Sequence, residues 1–183
     1  MRVEAILSGK QAAALRRDGV DLALKRVDGQ SVAQRATLQA ADGFNVFRQY
    51  SGAGGLKEEF EEAADDNRKI TKLVTYGQSL NGEDIIALKV SKNADRDRDG
   101  RKPAVLYLGA QHAREWITPE MIRRLMHYVL DGYEDGDKTI RRLVDRNELW
   151  FVPVANPDGY DFSFGPGQRL WRKNLRDNNG DGN

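Results

Sequence analysis

Two nearly continuous apolar runs, PAVLYLGA at residues 103–110 and ELWFVPVA at residues 148–155, set the narrowest limits on the fold. A run of that length without polar alternation fits a strand covered on both faces, as in the parallel part of an α/β sheet. Helical patterning fills the interval. Met121, Ile122, Leu125, Met126 and Val129 recur on one stripe, with Thr118 as N-cap, Pro119 at the first position and an end at Gly132. A shorter helix carrying Ile140, Leu143 and Val144 leads into the second run. Helices and strands therefore alternate, which predicts an α/β domain with a partly parallel sheet. Upstream, residues 70–77 (ITKLVTYG) and 84–91 (DIIALKVS) are β-rich and flank Asn81-Gly82, the signature of a hairpin with a slightly long loop. A charged segment before them places Leu56, Phe60, Ala63 and Ala64 at helical spacing.

The first part of the chain has a different character. Residues 3–7 read as a strand, and residues 10–17 as a helix capped by Gly19. Leu22, Leu24 and Val27 suggest a second short strand ending at the Asp28-Gly29 turn. Residues 29–43, with only Val32, Ala36 and Leu38 as apolar anchors, read as a connecting helix, and the SGAGG at 51–55 as a hinge.

Composition removes several classes of function. Lys and Arg number 29 against 28 Asp and Glu, so a net charge of +1 argues against nucleic acid or anionic membrane as a partner. No apolar run reaches the ~20 residues of a membrane span, and the N-terminus lacks the pattern of a signal peptide. The absence of cysteine excludes disulfides and thiolate metal sites, and histidine occurs only at positions 112 and 127.

Both apolar runs stop at polar, turn-rich sequence, QHAREWIT and NPDGY. Ligands of open α/β sheets bind beyond the carboxyl ends of the strands. There His112 and Glu115 form an H-x-x-E pair whose spacing lets an imidazole nitrogen and a carboxylate oxygen meet one zinc ion; a surface ion pair or helix cap is the plainer alternative. His127, mid-helix, reads as a packed helix residue and not as a ligand. Further on, Arg169, Arg172, Lys173 and Arg176 surround Trp171, a pattern open to nucleic-acid contact or to one arginine aimed at a carboxylate or oxyanion. Two acidic loops have the opening half of a calcium loop. Asp95, Asp97 and Asp99 lack the closing Glu, with Leu106 in its place, and read as a solvated turn. Asp177, Asn179 and Asp181 before Gly182 leave calcium and a plain Asn/Gly turn as alternatives.

HAREWITPE, ANPDGY and RLWRKN, in that order, resemble the zinc carboxypeptidases of the carboxypeptidase A and B type, bacterial secreted members above all. YGQSLNGEDIIALKV is similar to that family's first strand pair, and the likeness extends over residues 45 to 176. The resemblance implies a three-layer, mixed-sheet zinc-carboxypeptidase fold, with residues 49–183 as the N-terminal half of the catalytic domain. Residues 1–48 would be part of an α+β pro-segment and its linker. It implies His112 and Glu115 as zinc ligands, Arg114 as a contact to substrate backbone, and Arg172 as the catalytic arginine of the oxyanion. Substrates would be peptides or proteins with a free C-terminus, cut by a secreted, monomeric enzyme. The family's third ligand, its carboxylate-gripping Asn-Arg pair, capping tyrosine and catalytic glutamate have no match here, so these 183 residues alone are expected to be inactive. A non-catalytic carboxypeptidase-like binding module is the rival expectation.

Overall fold

In the computed structural model, residues 9–23, 26–27, 30–31, 47–177 and 180 are described. The chain divides into two compact units, Met1–Val46 and Phe47–Asn183. In the first unit, α1 (Gly9–Arg17) matches the expected helix, and Gly19 follows it with φ 81°. The short strands β1 (Arg26–Val27) and β2 (Gln30–Ser31) pair antiparallel across Asp28-Gly29. Leu22 is not part of that strand pair. The expected strand at 3–7, most of the expected connecting helix at 29–43 and Leu24 lie outside the described residues.

The second unit begins with a segment that was expected to be a hinge and is not. Gly55 packs so closely that a Cβ would lie 2.5 Å from the carbonyl oxygen of Tyr50. The amides of Leu56 and Lys57 bond back to the carbonyls of Gln49 and Tyr50 at 3.0 Å each, closing a tight turn. Asp161 accepts the amides of Tyr50 (2.6 Å) and Ser51 (3.0 Å). The buried Tyr50 hydroxyl donates to the Asp84 carbonyl at 2.8 Å. Tyr50 and Gly55 are therefore buried at the two ends of an exposed turn, and the flexibility suggested by its composition is overridden by these bonds.

Helix α2 (Leu56–Asp66) buries Leu56, Phe60 and Ala63 against the hairpin β3 (Thr71–Gln78) and β4 (Asp84–Val90). β5 (Ala104–Leu108), α3 (Ile117–Glu134), α4 (Lys138–Arg146), β6 (Glu148–Val152) and α5 (Pro157–Phe162) follow. The four strands form one open sheet in the order β3-β4-β6-β5, antiparallel except for the parallel β5–β6 pair. This is the mixed α/β sheet expected. The core gathers Leu88 and Val90 of β4, Leu149 and Phe151 of β6, and Met126 and Val129 of α3. No helix among the described residues is long and apolar enough to cross a membrane.

Five further expectations need correction. β5, expected to be covered on both faces, is an edge strand among the described residues, and Leu106 is 61% exposed. Its run of apolar residues reports their composition, whereas burial depends on which neighbours are there. α3 starts at Ile117, so Thr118 is no cap. Its hydroxyl accepts the Ala110 amide and donates to the Glu115 carbonyl, both at 2.9 Å. The helix runs past Gly132 to Glu134, and its buried stripe replaces Met121, which is exposed, with Glu120 and Arg123 as an ion pair at 2.8 Å. The loop at 95–100 is more than a solvated turn. Asp99 accepts from Lys89, which is 0% exposed in the middle of the sheet, at 2.8 Å, and Lys89 also pairs with the buried Glu148 at 3.3 Å.

Candidate metal and oxyanion site

Because β5 and β6 are parallel, with Leu108 opposite Val152, their carboxyl ends lie side by side. The ladder runs on for one step, Gly109 N to Val152 O at 3.0 Å and Ala155 N to Gly109 O at 2.9 Å. Glycine is required at 109, because a Cβ there would lie 2.4 Å from the Pro153 carbonyl and 2.8 Å from Ile122 Cδ1. Ala110 then takes a positive φ of 42° and turns the chain out of the sheet, releasing residues 111–116 across the strand ends. On the other strand, Asn156 caps α5 through the amide of Gly159 (3.2 Å) and donates to the Lys173 carbonyl (3.2 Å). Asp158 reaches the opposite way, accepting from Ser79 Oγ (2.7 Å) and the Asn81 amide (3.0 Å), and so fixes the hairpin loop beside the site.

The expected pair is brought together. His112 Nδ1 lies 2.8 Å from Glu115 Oε1, and the side chains are 37% and 42% exposed. His112 lines an open groove of about 900 Å³ together with Asn156, Asp158, Arg172, Lys173 and Arg176. Arg172 thus shares the groove with His112, and its carbonyl accepts the Ala113 amide at 3.1 Å, holding the two segments in register. Arg114 is not among the residues that line the groove; its carbonyl accepts from Arg169 at 2.9 Å. His127 is elsewhere, its Nε2 2.6 Å from Glu59 Oε1. Arg123 reaches the same oxygen at 3.1 Å, and Arg48 pairs with the other oxygen of Glu59. Of the calcium candidates, Asp177 accepts the Gly180 amide at 2.7 Å, a turn bond, while Asn179 and Asp181 lie outside the described residues.

Zinc suits the donor set at 112 and 115. An imidazole nitrogen and a carboxylate oxygen are ordinary zinc ligands, and bonds of about 2.0 Å in a tetrahedron put neighbouring donors about 3.3 Å apart. The 2.8 Å separation needs an adjustment of only half an ångström or so in exposed side chains. Among the described residues no group of three or more His, Cys, Asp or Glu comes together, so these residues offer the ion two donors, His112 and Glu115.

Sequence reasoning missed the packing under this loop. The Trp116 indole donates to Ser163 Oγ at 2.7 Å and stacks on Phe164, centroids 4.0 Å apart at 8°. The Arg169 guanidinium covers the other face at 3.8 Å from the ring centroid. A tryptophan one residue beyond the Glu, with an arginine two residues before Trp171, was the available signal. The pairing spans more than fifty residues and has no local signature.

A model of the zinc carboxypeptidase family matches residues 56–182. A zinc carboxypeptidase of Saccharothrix mutabilis subsp. capreolus is 36% identical over 133 residues, which is 70% of this chain and 30% of that protein. An inactive metallocarboxypeptidase, ECM14, of Arthroderma benhamiae is 34% identical over 108 residues, 58% of this chain and 18% of its own length. The solved carboxypeptidase A from Helicoverpa armigera superposes with a TM-score of 0.62 at 25% identity, covering 95% of this chain and 43% of that one. The chain thus spans less than a third of the two curated relatives and under half of the solved structure.

Proposed function

Since the chain belongs to the zinc carboxypeptidase family, we propose that it carries part of a zinc-dependent site for removing the C-terminal amino acid from peptides and proteins. The observation that carries this reading is the 2.8 Å His112–Glu115 pair beyond the ends of two parallel strands, with His112 lining a groove shared with Arg172. His112 and Glu115 would hold the ion. Zinc, when bound, supplies Lewis-acid polarisation and a water of lowered pKa. Arg172 stabilises the charge that develops on the oxygen of the scissile carbonyl, an interaction that strengthens toward the transition state. Arg114 binds the backbone on the acyl side. We assign residues 1–48 to a pro-segment-like region and 49–183 to the N-terminal half of the catalytic domain. The division between Val46 and Phe47 supports that boundary to within about two residues. A secreted monomer with peptide partners, and without nucleic acid or membrane, completes the reading. Calcium at Asp177, Asn179 and Asp181 is a separate proposal, tested by whether calcium raises the melting temperature and Asp177→Ala removes the gain.

We also propose that these 183 residues by themselves hydrolyse no peptide, because two donors hold zinc weakly and none of the described residues adds a third. The rival reading, a non-catalytic binding module, draws on a relative that is itself named inactive. Zinc titration with chelator competition, run beside an amino-acid release assay, separates the readings. Weak zinc binding lost in both His112→Ala and Glu115→Ala, spared in His127→Ala, supports the site. Zinc binding unaffected by His112→Ala would sink it. In a longer chain that is active, Arg172→Ala should lower kcat about a hundredfold or more with little change in KM; a rise in KM alone would make Arg172 a ground-state binding residue.

A further inference from the structure

The segment that presents His112 and Glu115 is not part of a helix or strand, so something else must hold it. The amides of Ala113, which is fully buried, and of Glu115 bond to the carbonyls of Arg172 and His112, both at 3.1 Å. The Ala113 carbonyl accepts from Ser163 Oγ at 3.3 Å and the Glu115 carbonyl from the Thr118 hydroxyl and amide at 2.9 Å each. Arg169 adds two contacts, one to the middle of this segment and one to Trp116 next to it. Its NH1 donates to the Arg114 carbonyl at 2.9 Å, between the two donors, and its guanidinium lies 3.8 Å above the ring of Trp116. The opposite face of that ring is stacked on Phe164, and the indole N–H is bonded to Ser163. The ring is thus held by Phe164 and Arg169 on its faces, by Ser163 at its polar edge and by a tilted contact with Phe47, centroids 5.9 Å apart.

We infer that Arg169 is a positioning residue for the metal pair: by pressing Trp116 onto Phe164 and capping the Arg114 carbonyl, it fixes the orientation of His112 and Glu115. The chemistry is particular to arginine. A planar guanidinium can stack on the indole and donate in its own plane at the same time, which the point charge of a lysine cannot do. The inference deepens the zinc reading of the site and rests on it only for the second of the two measurements below.

The test is amide hydrogen exchange on the 183-residue chain, in the parent, Arg169→Ala and Arg169→Lys. Both variants should speed exchange at Ala113 and Glu115 by about tenfold or more while leaving Leu88, buried in β4, unchanged. Unchanged protection at 113 and 115 overturns the inference. So does loss of protection spread evenly to Leu88, which would mark general destabilisation, and so does full rescue by lysine, which would mark charge alone. Titration with zinc alone gives a second readout whose sign discriminates. Positioning predicts that both variants weaken binding, by about tenfold as for other outer-shell partners. A purely electrostatic role predicts the reverse for Arg169→Ala, because removing a cation favours a divalent ion. Zinc binding that survives His112→Ala would defeat the zinc reading itself, while the exchange result would still decide the role of Arg169.

Discussion

At the scale of single residues, the least tolerant positions are those where backbone passes backbone or where a charge is buried. Gly159 has the Lys173 carbonyl 2.5 Å and Asn156 Nδ2 2.6 Å from where a Cβ would stand. Gly159→Ala should therefore force apart the two segments that carry the site, at about 1–3 kcal/mol in chemical unfolding; a change under 0.5 kcal/mol would mean the contact yields freely. Lys89 is the second case. Its fully buried ammonium is met by Glu148 and Asp99, so Glu148→Gln leaves it half-paired and should cost about 3 kcal/mol. Replacing Lys89 and Glu148 together by methionine should restore most of that loss, and a double variant as unstable as the single one would show that the pair is not the source. Of the residues at this scale, His112 and Glu115 were legible in the sequence because their contact is local, three positions apart. The pairing of His127 with Glu59 was not, since it spans 68 residues and depends on α2 lying beside α3.

At the scale of elements, apolar composition specified strands well and burial poorly. The hairpin β3–β4, the helices α2 and α4, and the strand β6 all fall close to where periodicity and turn residues put them. β5 and β6 have similar apolar runs, yet β6 lies between β4 and β5 and is buried, while among the described residues β5 has β6 on one side only. The two strands should therefore respond differently to the same kind of truncation. Phe151→Ala in β6 should destabilise by about 3–5 kcal/mol, and Leu106→Ala in β5 by no more than about 0.5 kcal/mol. Comparable losses at the two positions, read from denaturant midpoints, would mean that β5 is covered in solution. The start of α3 was misplaced for a related reason. Thr118-Pro119 has the form of a cap, but the threonine hydroxyl is taken by Ala110 and Glu115, and the helix begins one residue ahead of it.

For the molecule as a whole, the pH dependence of stability follows from the same buried lysine. Hydrogen bonds from Lys89 and Lys72 hold the Asp99 carboxyl below its ordinary value. Burial works against the ionised form of Glu148, but the Gly100 amide, the Trp150 indole and Lys89 outweigh it, and its carboxyl is lowered too. In both cases the unfolded chain takes up protons at a higher pH than the folded one. The stabilisation is thus complete above the ordinary carboxyl range and is lost as pH falls through the lowered values. Melting temperature should fall below about pH 4, with a smaller fall in the Lys89→Met/Glu148→Met variant. An acid limb of equal size in that variant would place the effect elsewhere. Family-scale features of the chain were legible in three short motifs, whereas the way its leading segment is fastened was not. The Phe47 amide bonds to Glu120, the amides of Tyr50 and Ser51 to Asp161, and the Tyr160 hydroxyl donates to the Arg48 carbonyl at 3.0 Å. Those anchors lie on α3 and α5, the two helices that flank the His112–Glu115 loop and lead on from it and from β6. In mechanical terms, tension applied to the chain at residue 47 is loaded onto α3 through Glu120, onto α5 through Tyr160 and onto α2 through the Arg48–Glu59 pair. Of these helices α5 begins with Pro157 and Asp158 in the groove's lining, so a tug at residue 47 reaches the groove through it.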